Sequence, residues 1–146
     1  MNNRRNFQMN NQQNMNNPNN LHNQFPDYFI DNEYNLELFQ KAEDYAKNYS
    51  NNLTKSQLRN IYNEVKNIEK RYNSKKISFN QVMTRIKLLK AKVRYNTGRK
   101  TNALNKNFAR ELEQWIDKIK TEGDFKGFCI FFESVVGFFY GFNTKN

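Results

Sequence analysis

The sequence predicts an all-α fold, a compact bundle of about five helices that follows a disordered N-terminal tail. Three observations support this fold class. Only two prolines and five glycines interrupt the 146 residues, long stretches mix Leu, Ile, Lys, Glu and Gln, and apolar residues recur three and four positions apart rather than in alternation. The 37% apolar content, which includes 13 Phe and 8 Tyr, is enough for one modest core.

The first 26 residues differ in composition from the rest of the chain. They contain 11 Asn and 4 Gln and almost no aliphatic side chains, so they bury too little apolar surface to offset the entropy of ordering. We therefore expect a disordered tail over residues 1–26, which carries Arg4, Arg5 and the single histidine, His22. Residues 27–146 are expected to form one helical-bundle domain.

Two helices are predicted in the first half of this domain. The first covers residues 32–49 and ends in an Asn-rich linker. The second begins after Thr54, because Thr54 and Gln57 have the spacing of a capping box. Apolar residues then follow at spacings of three and four and predict a face turned to the core: Leu58, Ile61, Val65, Ile68 and Tyr72.

Three more helices are predicted in the second half. Ser78 and Gln81 repeat the capping-box spacing at the start of the third helix, and Gly98 is its predicted C-terminal stop. The fourth covers about residues 102–120. The fifth, residues 124–140, is apolar nearly all round, so it is expected at the centre of the bundle or beneath a partner chain. Its apolar run is too short to cross a bilayer, so no membrane segment is predicted.

The excess positive charge of the chain lies in one window, residues 54–100. This window holds 14 of the 24 Lys and Arg but only Glu64 and Glu69 of the 14 acids, so it carries +12 against −2 elsewhere and +10 in total. Such a charge favours a polyanion partner, since each neutralised phosphate releases condensed counterions. Acidic residues four positions from the cations would have stabilised these helices through ion pairs. Because acidic residues are scarce in this window, we interpret it as a nucleic-acid site rather than a solvated face.

Helical geometry arranges these cations in stripes. The second helix carries Lys55, Arg59, Lys66 and Lys70 opposite its apolar face. The third carries Arg85, Lys92 and Arg99 on one flank and Lys87, Lys90 and Arg94 on the other. If the two helices pack antiparallel, the stripes are expected to form a continuous band. The predicted nucleic-acid-binding residues are Lys55, Arg59, Lys66, Arg85, Lys92, Arg94, Arg99 and Lys100.

The sequence contains no recognisable set of catalytic or cofactor-binding residues. The only histidine lies in the tail, so neither a Ser-His-Asp set nor a zinc site is predicted, and the segment around Gly98 lacks the spacing of a phosphate-binding loop. We predict a non-enzyme without a metal or other cofactor. Cys129, the single cysteine, excludes an internal disulfide and favours a reducing compartment, so a cytoplasmic location is expected.

Glu133 is the one charged residue within the apolar run of the fifth helix. An unpaired carboxylate buried among apolar side chains is costly. We therefore expect a structural ion pair inside the fold, with Arg59 or Arg99 as the partner. A functional acid is the alternative interpretation.

Three segments of the sequence together resemble a known family. They are LTKSQLRNIY at residues 53–62, VRYNTGR at residues 93–99, and DFKGFC at residues 124–129 followed by FESVV at residues 132–136. In this order and at these separations they resemble the small helical subunit of type III-A CRISPR effector complexes, the Csm complexes. The resemblance covers about residues 53–142. The Asn-rich tail has no counterpart in it.

The resemblance implies a function in RNA-guided antiviral defence. It implies a small helical bundle, present in several copies along a filament that binds the guide RNA, which contacts guide and target RNA backbones and has no nuclease activity. The expected partners are both RNAs, a large subunit, the backbone subunits and further copies of this chain, with no membrane. Arg59, Arg94 and Arg99 lie in the matching segments and are the RNA contacts that the resemblance implies, with Lys55, Lys66 and Lys92 beside them.

Two other functions remain open at the level of sequence. One is a stand-alone helical protein that binds RNA or DNA nonspecifically, and the other is a structural adaptor whose charge meets an acidic protein. Salt-sensitive binding to bare single-stranded RNA would favour the nonspecific nucleic-acid-binding protein over the adaptor. Co-purification with a guide RNA would favour the CRISPR complex over both.

Overall fold

The computed structural model describes residues 25–143, which form a short β-hairpin followed by five α-helices. The elements are β1 (Phe29–Ile30), β2 (Glu33–Tyr34), α1 (Glu37–Tyr49), α2 (Lys55–Asn73), α3 (Phe79–Thr97), α4 (Lys106–Asp117) and α5 (Glu122–Phe142). The predicted all-α bundle of about five helices is confirmed. Residues 1–24 of the predicted tail lie outside the described part of the chain.

The capping signals fix the starts of α2 and α3 as predicted. The Thr54 hydroxyl accepts a hydrogen bond from the Gln57 backbone amide at 3.0 Å, and the Gln57 side chain accepts one from the Thr54 amide at 3.1 Å. Ser78 and Gln81 make the same reciprocal pair at α3, which ends at Thr97 with Gly98 as its C-cap. α5 has a further capping box, Thr121 with Asp124.

The hairpin corrects the predicted start of the first helix. Asp31 and Asn32 both have positive φ, at 52° and 65°, which is the conformation that a two-residue type I′ hairpin turn requires. The turn pairs Phe29 with Tyr34 in an antiparallel register. The chain therefore continues as a strand through Tyr34, and α1 begins only at Glu37.

α5 lies at the centre of the bundle, as its apolar composition predicted. It packs against α1, α2 and β1, and it buries nine of its 21 residues. The Phe131 ring lies edge-on to Trp115 of α4 at 4.9 Å and to Phe25 at 5.0 Å between centroids. By length and composition alone this helix is apolar enough to cross a membrane, but half of its most apolar window is buried inside the fold.

The segment before the hairpin is part of the core, which moves the predicted domain boundary. Phe25 is buried against Trp115 and Phe131. The Tyr28 hydroxyl donates a buried hydrogen bond to the Trp115 carbonyl at 2.7 Å. Gly127 lets this segment approach α5, because a Cβ there would lie 2.6 Å from the Tyr28 Cβ. The folded domain thus includes Phe25, which the sequence places in the tail.

Candidate nucleic-acid interface

α2 and α3 run antiparallel and enclose a groove between them. Gln57 and Asn60, near the start of α2, line it together with Arg99 beyond the end of α3, whereas Asn67, further along α2, lines it together with Arg85 near the start of α3. This order of contacts confirms the antiparallel packing that the predicted band required. It also divides the α2 surface into an edge that faces α3 and an edge that faces α5.

The α2 edge next to α5 carries two of the predicted cations over one tyrosine. Arg59 Nε donates to the Tyr140 hydroxyl at 3.1 Å, and its guanidinium lies 5.7 Å from the ring centroid. Lys55 Nζ lies 5.8 Å from the same ring. Cations over an aromatic face are attracted by the ring quadrupole. Both side chains are therefore oriented by α5 toward the edge at which α2 and α5 meet.

Lys66 lies further along this edge and is the ion-pair partner of Glu133. Its ammonium group lies 3.0 Å from Glu69 and 3.6 Å from Glu133. The hydrogen bond from Lys66 to Glu69 raises the pKa of Lys66 to about 12, so the side chain is a cation throughout the neutral range. The Glu133 side chain is 59% exposed. The expected buried pair with Arg59 or Arg99 is therefore wrong, since Glu133 lies on the solvent side of α5 and its partner is Lys66.

The α3 edge of the groove carries the most regular cation array. Arg85, Lys92 and Arg99 follow one another at seven-residue spacing and all line the groove. Lys92 pairs with Glu64 across the groove. Within residues 25–143, Arg85, Arg99 and the exposed Lys100 form no ion pair. Their charged groups are directed to the surface without a carboxylate of the described chain to neutralise them.

The opposite flank of α3 is neutralised by α4. Arg94 makes a bidentate pair with Glu113, at 2.8 Å and 3.0 Å, and this carboxylate raises the pKa of Arg94. Lys90 Nζ lies 2.6 Å from Asp117. The sequence argument that these cations lack compensating acids is thus wrong for this flank, because the acids come from a helix 19 to 27 residues away along the chain.

The outward face of α3 presents large apolar side chains between these two flanks. Leu88 is 65% exposed and Tyr95 is 76% exposed. Both lie on the side of the helix opposite its buried residues, Val82, Ile86, Leu89 and Val93. The groove also contains amide side chains, which charge and apolar periodicity do not single out: Asn60, Asn63, Asn67 and Asn96. The seven-residue spacing of Asn60 and Asn67 was the available signal.

The structure therefore brings some predicted site residues together and separates others. Arg85, Lys92 and Arg99 share the α2/α3 groove. Lys55, Arg59 and Lys66 lie on the other edge of α2, beside α5. Arg94 lies on the far flank of α3, beside α4. The cations thus occupy three parallel edges, and the exposed faces of α2 and α3 lie between them.

The three carboxylates of α4 have structural partners, and the one thiol of the described region is buried. On α4, Glu111 accepts a hydrogen bond from Tyr49 at 2.6 Å, whereas the helix's other two acids pair with α3. Across residues 25–143, no three His, Cys, Asp or Glu side chains are grouped in a way that could hold a metal ion. Cys129 is buried, and burial raises the pKa of its thiol.

Comparison with known proteins assigns the chain to a family. Neither a curated protein nor a solved structure matches it significantly. The model of the family described as Csm2 Type III-A matches residues 32–145, a range that begins in the β-hairpin and includes all five helices. With this match over most of its length, the chain belongs to the Csm2 family, the small subunit of the type III-A CRISPR Csm complex.

Proposed function

We propose that this chain is a non-catalytic RNA-binding subunit that holds guide and target RNA backbones against the α2/α3 groove. The observation that carries the proposal is the array of Arg85, Lys92 and Arg99 on one wall, opposite a wall of amides with a single acid that Lys92 neutralises. Phosphates spaced along a nucleic acid match a linear row of cations on one edge. Sequence is then read by base pairing between the two RNAs, as in guide-dependent systems generally.

The predicted contacts differ in how much of their charge is available. Arg85 and Arg99 have planar guanidinium groups that can bind phosphate oxygens in bidentate fashion, and Lys100 adds a point charge beside Arg99. Lys55 and Arg59 present their charge beside Tyr140. Lys66, Lys92 and Arg94 are already bound to carboxylates, so a phosphate at any of these sites competes with an acid. Arg85 and Arg99 are therefore the leading contacts.

The family assignment supports the proposed partners. The proposed partners are guide RNA and target RNA, a large subunit, backbone subunits and other copies of this chain, and the proposed location is the cytoplasm. An RNA site made mainly of exposed cations gives weak and salt-dependent binding by the isolated chain. Assembly along one guide then supplies the avidity that a single copy lacks.

The test compares two double variants with equal change in charge. Arg85→Glu with Arg99→Glu removes the two leading contacts, and Lys106→Glu with Lys120→Glu makes the same charge change at exposed positions on and beyond α4. The groove variant is expected to abolish target-RNA capture by the reconstituted complex, while the control retains it. Circular dichroism melts of the isolated chains should match. Normal capture by a folded groove variant, or equal loss in both variants, would refute the proposal.

A second measurement avoids dependence on charge reversal. Replacing Arg85 and Arg99 by Gln removes two phosphate contacts without adding repulsion. For single-stranded RNA the slope of log K against log salt changes by about 0.7 per contact. The slope should therefore become shallower by about 1.4 in the double Gln variant and stay unchanged when Lys106 and Lys120 are replaced by Gln.

A further inference from the structure

A pocket opens where the α2/α3 groove meets the loop between α3 and α4. Its volume is about 340 Å³, at the lower end of the roughly 300–1,000 Å³ range of small-molecule sites. Apolar side chains line its floor: Ile61, Leu89, Val93 and Leu104. Polar side chains surround its mouth, chiefly Asn60, Asn96 and Arg99. A site that binds only backbone phosphates does not require an apolar floor. The apolar floor of this pocket is therefore not explained by the cation array.

The wall formed by the α3–α4 loop is held in place by hydrogen bonds. Gln57 Nε2 donates to the Asn102 carbonyl at 3.0 Å, while its oxygen serves the capping box of α2. The Leu104 amide donates to the Asn96 carbonyl at 3.0 Å. Asn102 itself has a positive φ of 51°, a conformation that Asn adopts more readily than most residues. These contacts join the loop to both helices, so the pocket is formed before any ligand binds.

We propose that this pocket binds one unstacked nucleobase of a single-stranded RNA segment. The apolar floor of the pocket accommodates the flat face of the nucleobase. The side-chain amides of Asn60 and Asn96 each offer a hydrogen-bond donor and an acceptor to the edge of the nucleobase. Arg99 at the mouth, which forms no ion pair within residues 25–143, is positioned to meet a flanking phosphate. The single acid of the rim, Glu64, is paired with Lys92. The inference rests on the proposed RNA-binding function and adds a contact to the base.

The first experiment separates base contacts from phosphate contacts. The full-length chain is titrated with a uridine 12-mer and with an abasic 12-mer that has the same number of phosphates. Contacts to a single base are expected to make the uridine oligomer bind about tenfold tighter. If both oligomers bind equally, the base pocket is refuted while the proposed function stands. If neither binds at low salt, the proposed function fails as well.

The second experiment locates the base contact with a matched pair of variants. Asn60→Leu removes an amide from the pocket mouth and narrows it, whereas Asn67→Leu makes the same change two turns further along the groove, outside the pocket. Both residues are exposed. Only Asn60→Leu should reduce uridine binding to the abasic level, whereas Asn67→Leu should keep the wild-type ratio of uridine affinity to abasic affinity.

The remaining outcomes are also decisive. Retained uridine preference in Asn60→Leu, or equal loss in Asn67→Leu, would refute this location of the site. Should Asn60→Leu lower the melting temperature, Asn60→Ala provides the same test without added bulk. Asn60→Ala removes the amide alone and is expected to lose part of the uridine preference.

Discussion

The two sides of the bundle use helices of similar length in different ways. α5 buries nine of its 21 residues, most of them aromatic. α2 and α3, at 19 residues each, bury only four apiece. Because burial of apolar surface is the dominant stabilising term, the free energy of folding is concentrated around α5. The α2/α3 side contributes one narrow apolar seam per helix and leaves the rest of its surface to cations, amides and exposed apolar groups.

The polar contacts on the two sides also differ in burial. On the α5 side, the Tyr28 hydroxyl is buried and is satisfied by the Trp115 carbonyl at 2.7 Å. On the α2/α3 side, the Lys92–Glu64 ion pair is exposed to solvent, where pairs of this kind contribute little to stability. Substitutions on the two sides should therefore affect different properties. Those near α5 should change stability, and those on the α2/α3 side should change binding.

The largest effect is expected for Phe131→Ala. The centroid of the Phe131 ring lies 5.0 Å from that of Phe25 and 4.9 Å from that of Trp115. The Phe131 side chain is fully buried. Truncation removes this packing and leaves a cavity, which should lower the free energy of unfolding by about 3–5 kcal/mol. Tyr95→Ala on the exposed face of α3 is the control and should change it by less than about 0.5 kcal/mol.

Urea unfolding followed by circular dichroism measures both variants. Similar losses in Phe131→Ala and Tyr95→Ala would contradict the division between the two sides. They would mean that the exposed face of α3 contributes to the stability of the chain.

A glycine pair within α5 gives the next largest contrast. A Cβ at Gly127 would lie 2.6 Å from the Tyr28 Cβ, whereas a Cβ at Gly137 would have nothing within 4 Å. Gly127→Ala should therefore displace the N-terminal segment and cost about 1–3 kcal/mol. Gly137→Ala should stabilise the helix by up to about 1 kcal/mol, because Ala has the higher helix propensity.

Thermal melts of the two alanine variants provide the measurement. The sign of the change is the informative result, since the two substitutions are chemically identical. If Gly127→Ala raised the melting temperature as Gly137→Ala should, Tyr28 would not be packed closely against α5.

Local signals in the sequence predicted most of the fold. The capping boxes at Thr54 and Ser78 and the stop at Gly98 depend on neighbouring residues, so they set the bounds of α2 and α3 closely. The composition of α5 predicted its central position. The hairpin was missed although Asp31 and Asn32 are residue types that tolerate positive φ. The predicted helix begins at residue 32, inside this turn, because the apolar residues that follow have helical spacing.

The candidate site was less predictable because it depends on tertiary contacts. The cations of α2 and α3 could be placed on helix edges by periodicity, but periodicity did not show that α4 supplies Glu113 to Arg94. It also did not show that the exposed Glu133 lies near Lys66. The pocket at Asn60 requires the α3–α4 loop as its third wall, and only the fold brings that loop to α2.

Two glutamines at equivalent positions test whether the pocket wall depends on Gln57. Gln57 and Gln81 both occupy the third position of a capping box, but only Gln57 also donates to the Asn102 carbonyl. Gln57→Ala should therefore lower the free energy of unfolding by about 0.5–1 kcal/mol more than Gln81→Ala. Hydrogen exchange of the Leu104 amide should accelerate in Gln57→Ala alone. Equal effects would show that the loop is held without Gln57.

The smallest effect is expected for Glu133→Gln, and its size distinguishes an exposed carboxylate from a buried one. Loss of a buried ion-pair partner would cost about 3–5 kcal/mol. Glu133 is 59% exposed and 3.6 Å from Lys66, which retains its closer partner, Glu69, at 3.0 Å. The free energy of unfolding should therefore change by less than about 0.5 kcal/mol. Glu69→Gln removes the closer and less exposed partner, so it should have the larger effect of the two. A loss of several kcal/mol in Glu133→Gln alone would mean that the α2/α5 edge is covered, and that this side of the molecule resembles the core more than the groove.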